Sequence, residues 1–387
     1  MSCDPDWQLL FVDDDEEVCG QIKRFLESER ITEAGERPVV TTLTDFGQAM
    51  DSLTSHRFDV VILDVRLGPL GETRQSEAGV ETLALIKARC FVPVVFYTAL
   101  PGTVEHLKSP VVRVVQKDAG LPCLLNVVKE LFATRLPAVH RALLAHVEDV
   151  ERLYMWEFVT ENWIPFADTG DRADVAYLLA RRLAMSLSGA GIQRLLEAVG
   201  ASLGTVVADG LVHPIHYYIM PPVDRAPLAG DIYDGAVAGE DGYWALLTPS
   251  CDMVFGREKA DRVVLARCFP LTDQPEFQAW RSALPSPDAT DEGRLKSLLK
   301  NNRQDGQPQR FFFLPGAITL PDLVVDLQHL VTIPRTDIAP SLRRLTSLDS
   351  PFAEALLARF AGYFGRVGTP DIDIEFMLSR LRGDGIG

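Results

Sequence analysis

FDVVILDV (58–65) is an apolar run bounded by acids, Asp59 near its start and Asp64 near its end. Val60 to Leu63 leave no polar face, so the stretch reads as a strand buried on both sides. Such a strand belongs inside a parallel sheet with helices on both faces. The flanking sequence supplies the rest of that sheet. WQLLFVDDD (7–15) is a short apolar strand ending in acids, and residues 15–28 carry Val18, Ile22, Phe25 and Leu26 at helical spacing. PVVTTL (38–43) reads as a second strand and 45–54 as a second helix. Beyond the central strand, 79–89 is helical, VPVVFYTA (92–99) is a fourth strand, VVRVVQKD (111–118) a fifth, and 120–132 a last helix. The alternation predicts an α/β domain of (βα)5 type over residues 1–133.

In a sheet of this kind, ligands sit beyond the carboxyl ends of the strands. Strand 1 ends in Asp13 and Asp14, strand 3 in Asp64, strand 4 in Thr98 and strand 5 in Lys117. Three carboxylates, a hydroxyl and an ammonium are therefore expected on one rim. Clustered carboxylates repel one another and call for a hard cation with oxygen ligands, for which Mg2+ is suited. Metal and ammonium together can neutralise the oxygens of a transferring phosphoryl group. A carboxylate beside them can then act as nucleophile and form an acyl phosphate. Asp64, on the central strand, is placed for that role, with Thr98 and Lys117 each holding a phosphoryl oxygen. Asp15, Glu16 and Glu17 are read instead as acids favoured by a helix N-terminus.

FVDDD (11–15), ILDVRL (62–67), FYTA (96–99) and VVQKD (114–118) together resemble the receiver domains of two-component response regulators. The resemblance covers about a third of the chain and implies a flavodoxin-like fold. It also implies that Asp13 and Asp14 are metal acids, that Asp64 is the phospho-acceptor and that Arg66 lends a backbone carbonyl to the metal. Thr98 would be the switch hydroxyl and Lys117 the phosphate-pairing base. A histidine kinase or phosphotransfer protein is the implied partner. The sequence departs from the family pattern at Val115, where an aromatic is usual, and at Asp118, where proline is usual. The loop from Asp64 to Gly79 is long, and LPGTVEHLKSP (100–110) leaves little room for a full fourth helix.

The 387 residues suffice for two or three domains at roughly 150 residues each. A net charge of −16 argues against broad phosphate-backbone binding, although a local basic patch is compatible with it. Six scattered cysteines make no CxxC pair and no zinc spacing, which fits a reducing compartment. The acidic start MSCDPDWQ does not resemble a signal peptide, and no apolar run reaches membrane-spanning length. A cytoplasmic protein without membrane contact is the expectation.

Residues 134–225 read as a helical linker or dimerisation segment. LPAVHRALLAHVEDVERLYMWEFVTENW (136–163) is helical after a break at Pro137, DRADVAYLLARRLAMSLS (171–188) is a second helix, and GIQRLLEAVGASLG (191–204) a third. A homodimer through these helices and simple packing against the C-terminal part are both open. His213 and His216 lie in a strand-like stretch and read as structural. Residues 226–387 read as an α+β output domain. A hairpin turning at Glu240–Asp241–Gly242, strands over 261–271, 310–316 and 322–333, and a closing helix after Ser350 suggest a small β-barrel. GDIYDG with WALLTPSCD, and LVVDLQHLVTIPR with LRRLTSL, weakly resemble the strands of PemK-like toxin barrels, which are SH3-like and cleave RNA. The arginine those ribonucleases use has no clear counterpart, so no catalytic residue is carried over. In TPSCD (248–252), Cys251 reads as buried in a turn, and Lys296, Lys300, Arg303 and Arg310 read as a solvated loop or a modest anion patch.

Three functions follow as expectations. The first is an atypical response regulator phosphorylated on Asp64 with Mg2+ and relaying to an output domain without a helix-turn-helix. The second is a phosphorylation-gated ribonuclease or other hydrolase in the C-terminal barrel. The third is a scaffold that works without phosphorylation.

Overall fold

The computed structural model describes residues 6–65, 78–163, 173–187, 191, 212–223, 226–254, 256–303, 307, 309–366 and 372–382. The chain divides into two compact units, Met1–Gly204 and Thr205–Gly387. Arg66, most of the long loop after Asp64, and all of the helix expected at 191–204 except Gly191 lie outside the described residues.

The first unit begins with β1 (Trp7–Val12), α1 (Glu16–Ser28), β2 (Pro38–Leu43), α2 (Phe46–Ser55), β3 (Val60–Leu63) and α3 (Ala78–Arg89). It continues with β4 (Val94–Thr98), β5 (Val112–Gln116) and α4 (Gly120–Ala133). The five strands are parallel in the order β2-β1-β3-β4-β5, the flavodoxin-like doubly wound order. Alternation along each strand sorts the two faces. Leu9, Phe11, Ile62, Val95 and Tyr97 pack with Ile22 and Leu26 of α1 and Leu124 and Val128 of α4. Leu10, Val12, Leu63, Val94 and Phe96 pack on the other face with Ala49 of α2 and Leu83 and Ile86 of α3. The segment between β4 and β5 forms two single 3-10 turns, Pro101–Thr103 and Glu105–Leu107, in place of a helix.

The chain breaks at Arg135, whose φ is 61°, and α5 (Leu136–Leu153) starts with Pro137 in its first turn, where a missing N–H costs nothing. Helix α5 grips the end of the sheet opposite the strands' carboxyl ends. Arg141 lies 4.1 Å over the Trp7 ring and pairs through Nε and Nη2 with the Asp59 carboxylate, just before β3. Arg57 pairs with Glu148, and the rings of Phe91 and His140 meet edge to face at 5.2 Å. A π-helical turn, Tyr154–Val159, prolongs α5, and α6 (Ala173–Ser186) packs beside it through a His146–Ser186 hydrogen bond of 2.9 Å.

The second unit holds β6 (Tyr218–Ile219), β7 (Asp231–Val237), β8 (Glu240–Leu246), β9 (Arg262–Pro270), α7 (Pro275–Ser282) and α8 (Ala289–Leu299). It ends with β10 (Phe311–Leu314), β11 (Leu323–Pro334), β12 (Leu342–Leu348), α9 (Phe352–Phe364) and α10 (Ile374–Arg382). The strands form an antiparallel sheet in the order β10-β11-β9-β8-β7-β12-β6. Among the described residues its outermost strands do not pair with each other, so the expected SH3-like barrel is not confirmed.

The β7–β8 turn lies at Ala238–Gly239, two residues before the expected Glu240–Gly242. Both turn residues have positive φ, 51° and 85°, as a two-residue hairpin requires. Gly242, which looked like the turn glycine, lies in β8 at φ 146°, where an added Cβ would sit 2.5 Å from the Arg267 guanidinium. That guanidinium stacks 4.8 Å over the Trp244 ring. Gly242→Ala is therefore expected to destabilise the second unit by about 1–3 kcal/mol, the usual cost of a side chain at such a backbone angle. Urea unfolding followed by tryptophan fluorescence checks this, and an unchanged midpoint would refute it.

Candidate phosphoryl and metal site

β1 and β3 are neighbours and β5 lies beyond β4, and all three deliver the residues at their carboxyl ends to one rim. Asp13, Asp14 and Asp64 bring carboxylate oxygens within 4.8 Å of one another. Asp13 is fully buried and Asp64 nearly so, whereas Asp14 is exposed. Backbone bonds set these positions: the Asp13 N–H donates to the Leu43 carbonyl, and the Asp64 N–H donates to that of Val12. Lys117, at the end of β5, reaches across to both buried acids. Its Nζ lies 2.7 Å from Asp13 Oδ2 and 3.0 Å from Asp64 Oδ2.

Burial pushes the Asp64 carboxyl above its ordinary range, and the Lys117 bond only partly offsets that. Burial would lower the Lys117 ammonium, but its bonds to Asp13 and Asp64 outweigh burial and raise it. With three carboxylates and one ammonium, the cluster keeps excess negative charge. Its candidate metal ligands are all carboxylate oxygens, a set suited to a hard divalent cation.

Asp15 stands apart from this cluster. Its side chain caps α1, accepting the N–H groups of Glu17 and Val18, and its own N–H donates to Asp13 Oδ1 at 3.0 Å. Thr98 is fully buried beside the rim, and its hydroxyl is engaged with backbone. It donates to the Val65 carbonyl at 3.1 Å and accepts from the Leu100 N–H at 3.0 Å. Two neighbours had no signal in the sequence. The Cys19 thiol donates to the Asp13 carbonyl at 3.2 Å, and the Tyr97 hydroxyl donates to the Lys117 carbonyl at 3.3 Å. The Cys19 bond depends on how the chain turns from β1 into α1, and the Tyr97 bond on the β4–β5 register.

The other residues singled out from sequence do not form a comparable cluster. Asp13, Asp14 and Asp64 are the one group of potential metal ligands among the described residues. His213 caps the 3-10 turn Pro214–Tyr217, its Nδ1 accepting the Ile215 N–H at 3.3 Å, and His216 lies within that turn. Cys251 is exposed, contrary to the expectation of burial, because Ser250–Asp252 forms a surface 3-10 turn. Ser250 and Thr248 accept the backbone N–H groups of Ala229 and Val264. Arg303 pairs with buried Glu276 at 2.6 Å and Arg310 with buried Asp326 at 2.6 Å, so neither adds to an anion patch. No helix among the described residues is long and apolar enough to cross a membrane.

No protein-family model matches this chain, and no curated protein matches it. Among solved structures it is similar to the Francisella response regulator 1452 receiver domain, with 22% identity and a TM-score of 0.27 over 34% of this chain and 99% of that one. A response regulator receiver domain protein from Clostridium thermocellum matches at 19% identity and a TM-score of 0.27, over 34% of this chain and 98% of that one. A response regulator protein from Thermotoga maritima, in complex with Mg2+ and BeF, matches at 24% identity and a TM-score of 0.26, over 32% of this chain and 98% of that one. At these identities the likeness concerns the fold alone. The strand order and the helices on both faces, described above, give the first third of the chain a flavodoxin-like fold.

Proposed function

We propose that residues 1–133 form a phospho-acceptor receiver in which Asp64 takes a phosphoryl group in a Mg2+-dependent reaction. The observation that supports this most is the Lys117 ammonium bonded at once to Asp13 and Asp64, with Asp14 in the same cluster. Asp13, Asp14 and Asp64 would hold the metal. When bound, Mg2+ would offset their charge and that of the phosphoryl oxygens. In the transfer, an Asp64 carboxylate oxygen attacks phosphorus and forms the new O–P bond. The bond from phosphorus to the donor's nitrogen or oxygen breaks, and the leaving atom keeps the electron pair and takes a proton. Lys117 holds positive charge beside the developing acyl phosphate.

The donor would be a histidine kinase or phosphotransfer protein, and the second unit would receive the signal as an output module without a helix-turn-helix. The helical segment after residue 133 would carry any self-association. Incubating the full chain with acetyl phosphate and Mg2+ is expected to add one phosphoryl mass, labile to hydroxylamine, at Asp64; EDTA is expected to prevent it. Absence of that mass with Mg2+ present would refute the reading.

A further inference from the structure

Tyr97 precedes Thr98 on β4 and is buried in the core shared by α1 and α4. In the β4–β5 register it stands opposite Val115, two residues before Lys117. The aromatic ring therefore sits on β4, across from the β5 position where the sequence places a valine. From there the phenol donates to the backbone carbonyl of Lys117. The same carbonyl accepts the Gly120 N–H, which closes the short turn Lys117–Ala119 between β5 and α4. Burial raises the Tyr97 hydroxyl above its ordinary range, so it stays protonated as a donor.

We propose that Tyr97 is a positioning residue for Lys117, fixing the turn after β5 so that the ammonium lands between Asp13 and Asp64. What the ammonium then does rests on the receiver reading above; the positioning does not. A ring that only fills space would act equally well without its oxygen. Tyr97→Phe in the full-length chain separates the two, because it removes one hydrogen bond and keeps the ring.

The first measurement is trace acylation of amines by acetic anhydride in Mg2+-free buffer, with Lys23 as the exposed reference. Loss of one hydrogen bond is expected to raise the relative labelling of Lys117 about three- to tenfold. The second is the initial rate of phosphoryl incorporation at saturating Mg2+. Tyr97→Phe is expected to lower it about fivefold beside Lys117, a fold-change fitting one hydrogen bond. In a Lys117→Ala background the same change is expected to have no effect, as the double-mutant cycle demands. Unchanged Lys117 labelling overturns the proposal whether or not the chain takes phosphate. An equal loss of rate in both backgrounds also overturns it. Raised labelling in a chain that takes up no phosphoryl group keeps Tyr97 as the positioning residue and removes the receiver chemistry instead.

Discussion

Asp64→Asn is expected to take up no phosphoryl group and, in Mg2+-free buffer at neutral pH, to unfold at a higher temperature than the wild type. The first effect follows because an amide offers no anionic oxygen to phosphorus. The second follows from the electrostatics of the rim. Burial raises the Asp64 carboxyl pKa in the folded chain, and Asp13 adds to the rise. A group with a raised folded pKa contributes stability below its unfolded value, about 3.9 for aspartate, and loses it as pH rises through the folded value. At neutral pH the wild type therefore carries the cost of a buried charge that asparagine lacks. The advantage of the variant should shrink on acidification, as wild-type Asp64 takes up its proton. Added Mg2+ should reverse the order, because a ligand that binds the native state stabilises it by mass action and the variant has one carboxylate fewer. Thermal unfolding of both proteins across pH, with and without Mg2+, measures all three effects. A variant less stable at neutral pH without metal would show that the Lys117 ion pair outweighs burial.

The rim was legible because strand ends are. Val60 to Leu63 leave no choice but a central strand, and once the parallel sheet is granted, Asp13, Asp14, Asp64 and Lys117 must meet at its carboxyl edge. Hydroxyl partners were not legible. Thr98 reads from sequence as a group for a phosphoryl oxygen, and only the fold reveals that its hydroxyl donates here to the Val65 carbonyl, at a neighbouring strand's exit. The Tyr97 bond to Lys117 needs the β4–β5 register, which no local pattern contains. Local reading also failed where a side chain competed with a glycine. Asp241–Gly242 has the composition of a hairpin turn, but the chain turns at Ala238–Gly239 and uses Gly242 to admit Arg267. Arg303 and Arg310 looked solvated because their partners, Glu276 and Asp326, lie 27 and 16 residues away in sequence. Such long-range ion pairs carry no periodic signal.

Arg344→Met is expected to cost the second unit about 3–5 kcal/mol, the range for removing one partner of a buried ion pair. Asp231, at the start of β7, is fully buried, and Arg344 of β12 pairs with it at 2.7 Å. Four donors converge on that carboxylate. Leu228 N–H and Tyr233 Oη donate to Oδ2, while Arg344 Nη2 and Ser347 Oγ donate to Oδ1. Arg344 Nη1 also donates to the Ala226 carbonyl, so one guanidinium ties the segment before β7 to β12. Even with this support, burial lifts the Asp231 carboxyl above its ordinary range. Methionine fills much of the arginine's volume but leaves the carboxylate without a cation, which raises its pKa further. The loss should be largest at neutral pH and diminish as Asp231 protonates on acidification, since a raised folded pKa destabilises only the ionised form. Urea unfolding at two pH values, followed by the fluorescence of fully buried Trp244, reads the effect. Adding Asp231→Asn to Arg344→Met should recover part of the stability, because the orphaned charge is then gone. A loss below about 1 kcal/mol, the worth of an exposed pair, would mean that water reaches Asp231 and that this network does not hold β7 to β12.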